Sequence, residues 1–202
     1  MIVHALEEEM IREIGRAFAE YDYGEEEGLV SMFLSRDAAG TYICGYARGM
    51  LRGGFLHATS ERCEGFIAYK LPGEKVGLKT LGLLAKGFFQ AMRPGEMLRF
   101  FRIALQGGRS LRDRFDREKR PYIFVGMVCV RLQYQHQGYM RKVMDMAFAE
   151  GDRLQVPVIL ETDAQSKCDK YVHLGMQLAG TRNFDGHGAL YDLIRYPAAP
   201  QN

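Results

Sequence analysis

Apolar residues recur at helical spacing through most of the first half of the chain. The spacing predicts an amphipathic helix over 5–21 and further helices over 37–51, 76–92 and 95–106. The acidic run that follows Gly24 predicts a turn and the start of one more helix, because negative charge suits a helix N-terminus. We therefore expect this half of the chain to be mainly helical.

Extended apolar runs stand between and after these helices. Residues 55–59 and 65–70 predict a β-hairpin, since two short runs are joined by a polar turn. Residues 122–130 are nearly all apolar, which is typical of a strand buried on both faces in the centre of a sheet. Helical periodicity over 139–154 and an apolar run at 157–160 complete a strand–helix–strand unit, whose two strands are expected to be parallel.

A helix over 166–173 and two strands over 176–182 and 188–194 are predicted to finish the chain. Together the elements indicate an α/β (α+β) fold in which helices flank a central mixed β-sheet. No linker rich in proline or serine divides the 202 residues. A single domain over 1–202 is therefore expected, with residues 74–120 as a helical excursion between strands.

Composition argues against several classes of protein. Apolar residues make up 47% of the chain and charged residues 26%, which is a globular balance and not that of a disordered segment. The sequence lacks a run of about 18 apolar residues, and its start lacks the basic and apolar regions of a signal peptide. The four cysteines show neither a C-x-x-C pair nor metal-ligand spacing. We therefore expect a cytoplasmic protein with no disulfide and no metal.

Charge is unevenly distributed although its net value is only +2. Residues 79–120 carry eleven basic and four acidic side chains, whereas residues 1–30 carry nine acidic and two basic ones. A basic stretch suits an anionic partner such as nucleic acid, a membrane surface or a phosphorylated cofactor, but a solvated helix face has the same composition. Nucleic-acid binding usually interleaves basic and aromatic residues, and only Phe115 interrupts the run over 109–120. We expect neither a nucleic-acid nor a membrane partner.

The segment that is most informative about chemistry runs from Gln135 to Lys142, between the central strand and the following helix. Backbone N–H groups in the first turn of a helix lack helical acceptors and lie at the positive end of the helix dipole, so they suit a phosphate group. Gly138 allows close approach of the backbone to such a ligand, and Arg141 adds positive charge. A structural turn with no ligand has the same features, and the motif alone leaves it open.

This segment resembles the acetyl-CoA pyrophosphate loop of the GNAT superfamily of N-acetyltransferases. The family pattern has Gln or Arg first, Gly fourth, and Gly or Ala sixth, directly after a buried strand. Gln135 and Gly138 match the first and fourth positions, and Met140 departs from the sixth. Residues 157–162 and 171–176 are similar to the family's fifth strand and its tyrosine segment. Their arrangement most resembles small-molecule acetyltransferases of the puromycin-acetyltransferase-like kind.

The resemblance implies a cosubstrate and a set of site residues. Acetyl-CoA is expected between two splayed parallel strands, and Gly126 marks an irregularity that opens the first of them. Tyr171 matches the family tyrosine that protonates the leaving CoA thiolate, and a packing residue is the alternative. Glu161 is a candidate base acting through water, or a residue that orients the substrate. The residues expected to bind the cosubstrate are Met127, Val128, Cys129, Val130, Gln135, His136, Gln137, Gly138, Tyr139, Met140 and Arg141.

We therefore expect an acetyl-CoA-dependent N-acetyltransferase that acts on a primary amine of a small molecule. One alternative is a GNAT-fold domain that binds or senses acyl-CoA without turnover, which the departure at Met140 favours. Transfer to a protein or peptide amine is a second alternative, and docking of the basic stretch on nucleic acid or membrane is a third. A homodimer is left open.

Overall fold

The computed structural model describes residues 1–26, 28–98, 108–184 and 188–199. The helices are α1 (Glu8–Ala19), α2 (Arg36–Gly53), α3 (Leu78–Ala91), α4 (Leu111–Arg117), α5 (Tyr139–Leu154) and α6 (Gln165–His173). The strands are β1 (Leu56–Ala58), β2 (Gly65–Lys70), β3 (Ile123–Val130), β4 (Val158–Thr162), β5 (Gln177–Asn183) and β6 (Ala189–Arg195). Residues 94–98 are also helical, and the rest of the helix predicted over 95–106 lies mostly outside the described residues.

The strands form one mixed sheet in the order β1-β2-β3-β4-β6-β5. β3 and β4 are parallel, and the other neighbouring pairs are antiparallel. Helix α5 connects the parallel pair, so the predicted strand–helix–strand unit is confirmed. The hairpin of β1 and β2 and the α/β fold with a central mixed sheet are confirmed as well.

Helices cover both faces of the sheet. On one face, α5 and α6 pack on β2, β3 and β4 around the buried Val143 and Met144. On the other face, α1 and α2 pack on β1, β2 and β3 around the buried Ile14 and Phe66. Helix α4 covers β4 and β6 through Phe115. Burial of these apolar side chains on both faces is the main stabilising contribution, because each removes a large apolar area from water.

Strand β3 carries the irregularity that was predicted at Gly126. Val125 pairs with Tyr69 and Met127 pairs with Ala68, so Gly126 is an extra residue and forms a β-bulge. The bulge reverses the alternation of side chains along the strand. Val125 belongs to the core beneath α5 and α6, whereas Met127 belongs to the core beneath α1 and α2.

The prediction that β3 is buried on both faces is wrong for part of the strand. Phe124, Val128 and Val130 are only half-buried, and Gly126 is exposed. For Gly126, Val128 and Val130 the reason is that β3 separates from β4 after Val125, so that a cavity lies against this part of the strand. The apolar run therefore reflects a cavity wall as well as a core.

Helix α3, which belongs to the excursion over 74–120, packs on α2. A Cβ on Gly45 would meet the backbone of Gly87, and a Cβ on Gly49 would meet the side chain of Leu84, so the two helices approach closely at these glycines. Helix α3 thus packs on the face of α2 that carries Gly45 and Gly49. Within the described ranges, every helix is too short or too polar to cross a membrane.

The helix predicted to begin after Gly24 is wrong for the described residues of that segment. They form a turn and a short 3₁₀ helix, Leu29–Met32. The Glu26 carboxylate does bind a helix N-terminus, but the helix is α6, where it accepts hydrogen bonds from the backbone N–H groups of Gln165 and Ser166 (the latter 3.1 Å). Negative charge suits a helix N-terminus, but here the carboxylate and the helix come from distant parts of the chain.

Candidate active site

Strands β3 and β4 pair along only part of their length. Their register runs from Ile123 opposite Val158 to Val125 opposite Leu160, although β3 continues to Val130. A cavity of about 480 Å³ opens where the two strands separate. Its wall includes residues from α1 and α2 on one face of the sheet and from α5 and α6 on the other. The cavity therefore reaches both helical layers through the split in the sheet.

The hydrogen bonds at the two ends of β3 show which edge each residue faces. Ile123 N–H donates to Pro157 O at 2.9 Å, on the β4 side. Arg131 N–H donates to Glu64 O at 3.0 Å, on the β2 side. Residues 123 and 131 would face the same edge in a regular strand, because backbone groups alternate from one residue to the next. The bulge between them reverses that order.

It follows that Val128 and Val130 turn their backbone N–H and C=O groups to the edge that β4 has left. The Gln135 side chain reaches back to this edge, where its Nε2 donates to Val130 O at 3.3 Å. Cys129 lies between them and is buried in the core beneath α1 and α2, and burial raises the pKa of its thiol to about 12. The thiol is therefore protonated at neutral pH and is not a nucleophile.

The turn before α5 contains two residues with left-handed backbone conformation. The φ angle is 61° at His136 and 79° at Gly138, which is the N-cap of the helix. A Cβ on Gly138 would meet nothing within 4 Å, so the backbone conformation and not the packing requires glycine. Within the described ranges, the backbone N–H groups from His136 to Arg141 form no hydrogen bond, and the first to do so is that of Lys142, to Gly138 O at 3.4 Å.

Three side chains around this turn have identified partners. Arg141 Nη2 donates to His173 O at 3.4 Å, so this guanidinium lies against the end of α6. Lys142 Nζ lies 4.3 Å from the centroid of the Tyr139 ring. Met140 packs against the core beneath α5 and α6 while also contributing to the cavity wall. The methionine that departs from the family pattern thus has an apolar contact outside the turn.

Tyr171 lies on α6. It belongs to the core beneath α5 and α6 and also lines the cavity. Its hydroxyl makes no hydrogen bond with a described residue, and no buried side-chain polar atom in the described ranges lacks a partner. The hydroxyl is therefore accessible, and the cavity is the space that it borders. Burial raises the pKa of Tyr171, and the Asp163 carboxylate adds to that shift. The phenol is protonated at neutral pH and can act as a donor.

Glu161 also lies in the cavity wall, on β4. Its carboxylate forms an ion pair with Arg182 at 2.8 Å. The same guanidinium binds both carboxylate oxygens of the buried Asp192 at 3.0 and 3.1 Å. This arrangement fixes the position of the Glu161 carboxylate in the cavity wall.

A polar cluster joins the segment after α1 to the start of α6. Asp163 accepts hydrogen bonds from Tyr23 Oη and from Lys167 Nζ, both at 2.8 Å. Lys167 Nζ lies 4.5 and 4.3 Å from the ring centroids of Tyr21 and Tyr23. Lys170 Nζ donates to Tyr21 Oη at 2.9 Å. The cluster holds the N-terminal segment against the mouth of the cavity.

The structure brings most of the predicted site residues together. All of them line the cavity except Gln137 and Arg141, whose places are beside it. Sequence reasoning missed the aromatic residues that α1, the segment after it and α2 contribute to the wall. A signal for two of them exists, since tyrosines spaced four residues apart on α2 share one helix face. The missed residues are Phe18, Tyr21, Tyr42 and Tyr46.

Solved structures with this fold are known at low sequence identity. A structure described as histone acetyltransferase HPA2 and related acetyltransferase from Corynebacterium glutamicum is 14% identical, with a TM-score of 0.59 over 100% of this chain and 98% of that one. An N-acetyltransferase from Staphylococcus aureus Mu50 is 14% identical, with a TM-score of 0.57 over 96% and 100% of the two chains. Arylalkylamine N-acetyltransferase 2 from Aedes aegypti is 10% identical, with a TM-score of 0.59 over 96% and 97%.

These similarities define the class of fold. The chain has the mixed sheet and flanking helices of the GNAT acetyltransferases. No protein-family model matches the sequence, and no curated protein is significantly similar to it. The identities are low enough that the likeness establishes the fold alone.

Proposed function

We propose that this protein is an acetyl-CoA-dependent N-acetyltransferase that acetylates a primary amine of a small molecule. The observation that carries the proposal is the meeting of three features at one cavity. These are the open edge of β3, the unbonded backbone N–H groups before α5, and the accessible hydroxyl of Tyr171. Each corresponds to one part of the proposed cosubstrate.

The donor and acceptor groups of the cavity fit coenzyme A. The turn from His136 to Arg141 offers backbone N–H groups at the positive end of α5, which suit a pyrophosphate. The edge groups of Val128 and the backbone N–H of Val130 suit the amides of the pantetheine arm, because an unpaired strand edge binds extended amide chains. The apolar side chains of Met127, Val128, Cys129 and Val130 then form the wall along that arm.

When acetyl-CoA is bound, its thioester supplies an acyl carbon that an unprotonated amine can attack. A nitrogen–carbon bond forms and the carbon–sulfur bond breaks, so the amine loses one proton and the departing sulfur gains one. In the proposed reaction the accessible hydroxyl of Tyr171 gives its phenolic proton or a hydrogen bond to the sulfur. Where the proton is transferred, the phenolate regains one from water, which has received the proton that the amine lost.

The two carboxylates in the wall are proposed to orient groups and not to take the amine proton. Glu161 is paired with Arg182, and Asp163 is paired with Lys167. A charged hydrogen bond fixes the position of a carboxylate, which suits a residue that orients another group. The acceptor is therefore proposed to lose its proton to water.

The test is a measurement of CoA thiol release together with acetyl-CoA binding. The protein is incubated with acetyl-CoA and either a panel of small primary amines or short peptides with free amino termini. Release of CoA with a small amine supports the proposal. Release with peptides alone would replace it by peptide acetylation, and binding without release with any amine would replace it by an acyl-CoA sensor. Absence of acetyl-CoA binding would contradict all three.

A further inference from the structure

Two tyrosines on α2 face the cavity from the side of the sheet opposite the turn before α5. Tyr42 and Tyr46 lie one helical turn apart, and both residues belong to the cavity wall. Neither hydroxyl has a hydrogen-bond partner among the described residues. Because no buried side-chain polar atom in those ranges is unpartnered, both hydroxyls are accessible. Burial raises the pKa of both side chains, so both remain neutral phenols.

The hydroxyl of Tyr46 lies at the point where the sheet divides. Gly126 forms the bulge that follows the last residue of β3 paired with β4. A Cβ built on Gly126 would overlap Tyr46 Oη, so the hydroxyl sits directly over this glycine. The missing side chain at 126 therefore gives the hydroxyl its place.

The rest of this side of the cavity is aromatic. Phe18 from α1 and Tyr42 from α2 lie in the same wall as Tyr46. The hydroxyl of Tyr21, by contrast, is already bound by Lys170. The wall here offers flat apolar surfaces and accessible phenol hydroxyls, while the Asp163 carboxylate is occupied by Lys167 and Tyr23.

We propose that Tyr46 positions the acceptor amine through its hydroxyl, and that the aromatic wall selects acceptors in which a primary amine is attached to a flat apolar group. The inference rests on the proposed acetyltransferase function and specifies its acceptor. A phenol oxygen accepts a hydrogen bond from an amine N–H, and aromatic rings bind a planar apolar body by burial and ring packing. Tyr46 is a positioning residue in this scheme and takes no proton.

Phenethylamine and ethanolamine provide the first test, because both are primary amines on a two-carbon chain and only one is aromatic. We expect kcat/KM for phenethylamine to exceed that for ethanolamine by at least about tenfold, as burial of a phenyl group provides. Tyr46→Phe should lower kcat/KM for phenethylamine by about tenfold. That loss should appear mainly in KM, with acetyl-CoA affinity unchanged. Tyr196→Phe, at an exposed position, is the matched control.

A second pair of variants tests the contact itself. Gly126→Ala should lower the melting temperature, because the new methyl group overlaps the Tyr46 hydroxyl. The same substitution made in the Tyr46→Phe protein should lower it by less, since the overlapping oxygen is gone. Equal losses in the two backgrounds would show that the hydroxyl does not lie over Gly126.

The outcomes separate this inference from the proposed function. If the wild-type protein binds acetyl-CoA and acetylates ethanolamine as well as phenethylamine, the inference is overturned and the function stands. The inference is likewise overturned if Tyr46→Phe stays within twofold of wild type for phenethylamine. If acetyl-CoA does not bind at all, the function and the inference fail together.

Discussion

The two sides of the cavity are built from different parts of the polypeptide. On the side of α5 and α6, the main binding groups are backbone N–H and C=O groups, from the turn at Gly138 and from the open edge of β3. On the side of α1 and α2, the wall consists of aromatic side chains such as Tyr46. A backbone site depends on chain conformation and on a few glycines, whereas a side-chain site depends on the identity of each residue. We infer that the first side holds the cosubstrate and the second side holds the acceptor.

The largest expected effect is on the backbone side. Gly138→Asp should abolish acetyl-CoA binding, because it places a negative charge beside the proposed pyrophosphate site. Gly138→Asn is the matched control, since asparagine has nearly the same shape, carries no charge and tolerates the left-handed conformation found there. It should retain most of the affinity. Isothermal titration with acetyl-CoA measures both variants.

Equal weakening by the two substitutions would mean that strain at φ 79°, and not charge, controls the turn. Unchanged binding in Gly138→Asp would remove the turn from the site. Either result would break the division between a backbone side and a side-chain side.

Tyr171 lies on the side of α5 and α6, and it is the side chain proposed to donate to the departing CoA sulfur. Tyr171→Phe keeps the ring that belongs to the core beneath α5 and α6 and removes only the hydroxyl. General acid catalysis contributes roughly 100- to 10,000-fold, so kcat should fall at least about 100-fold while acetyl-CoA affinity stays the same. Steady-state kinetics and titration provide the two readouts. Retention of more than about a third of wild-type turnover would identify Tyr171 as a packing residue.

The contact between the segment after α1 and the start of α6 should have a smaller effect, and we expect that effect on the stability of the protein. The Glu26 carboxylate caps α6, the helix that carries Tyr171. Loss of a cap costs about 1 kcal/mol, which corresponds to a decrease of about 2–4 °C in the melting temperature of a chain of this size. Glu26→Ala should show this decrease in a thermal melt, and Glu25→Ala, at the neighbouring exposed position, should not. Equal behaviour of the two variants would argue against the cap.

The smallest expected effect is an absence of pH dependence. The pKa of Tyr171 is raised, so its proton is present at every pH below the ordinary value of about 10 and is lost only above it. At saturating acceptor, ionisation of Tyr171 should therefore cause no decrease in kcat between about pH 8 and 9.5. A decrease in this range for wild type that is missing in Tyr171→Phe would contradict the assignment.

Short-range features of this fold were predictable from the sequence. The helix over 139–154 was located correctly because its periodicity is regular and Gly138 precedes it. The bulge at Gly126 was expected because a glycine interrupts an otherwise apolar strand. Both signals lie within one segment, where spacing and residue type determine the local backbone.

Contacts between distant segments were not predictable. Glu26 was expected to begin a helix of its own and instead caps α6, about 140 residues further along. The spacing of Tyr42 and Tyr46 predicts a shared helix face, but the place of Tyr46 over Gly126 depends on how α2 packs on the sheet, which that spacing does not encode. The acceptor side was harder to predict because it is formed by side chains from segments that are distant in the sequence.

The central claim is that the split between β3 and β4 binds acetyl-CoA, and a thermal melt of the wild-type protein tests it most directly. A ligand that binds only the native state at 100 times its dissociation constant stabilises that state by about 2.7 kcal/mol. For a chain of this size the melting temperature should then rise by roughly 5–10 °C in millimolar acetyl-CoA. No rise at that concentration would contradict the account.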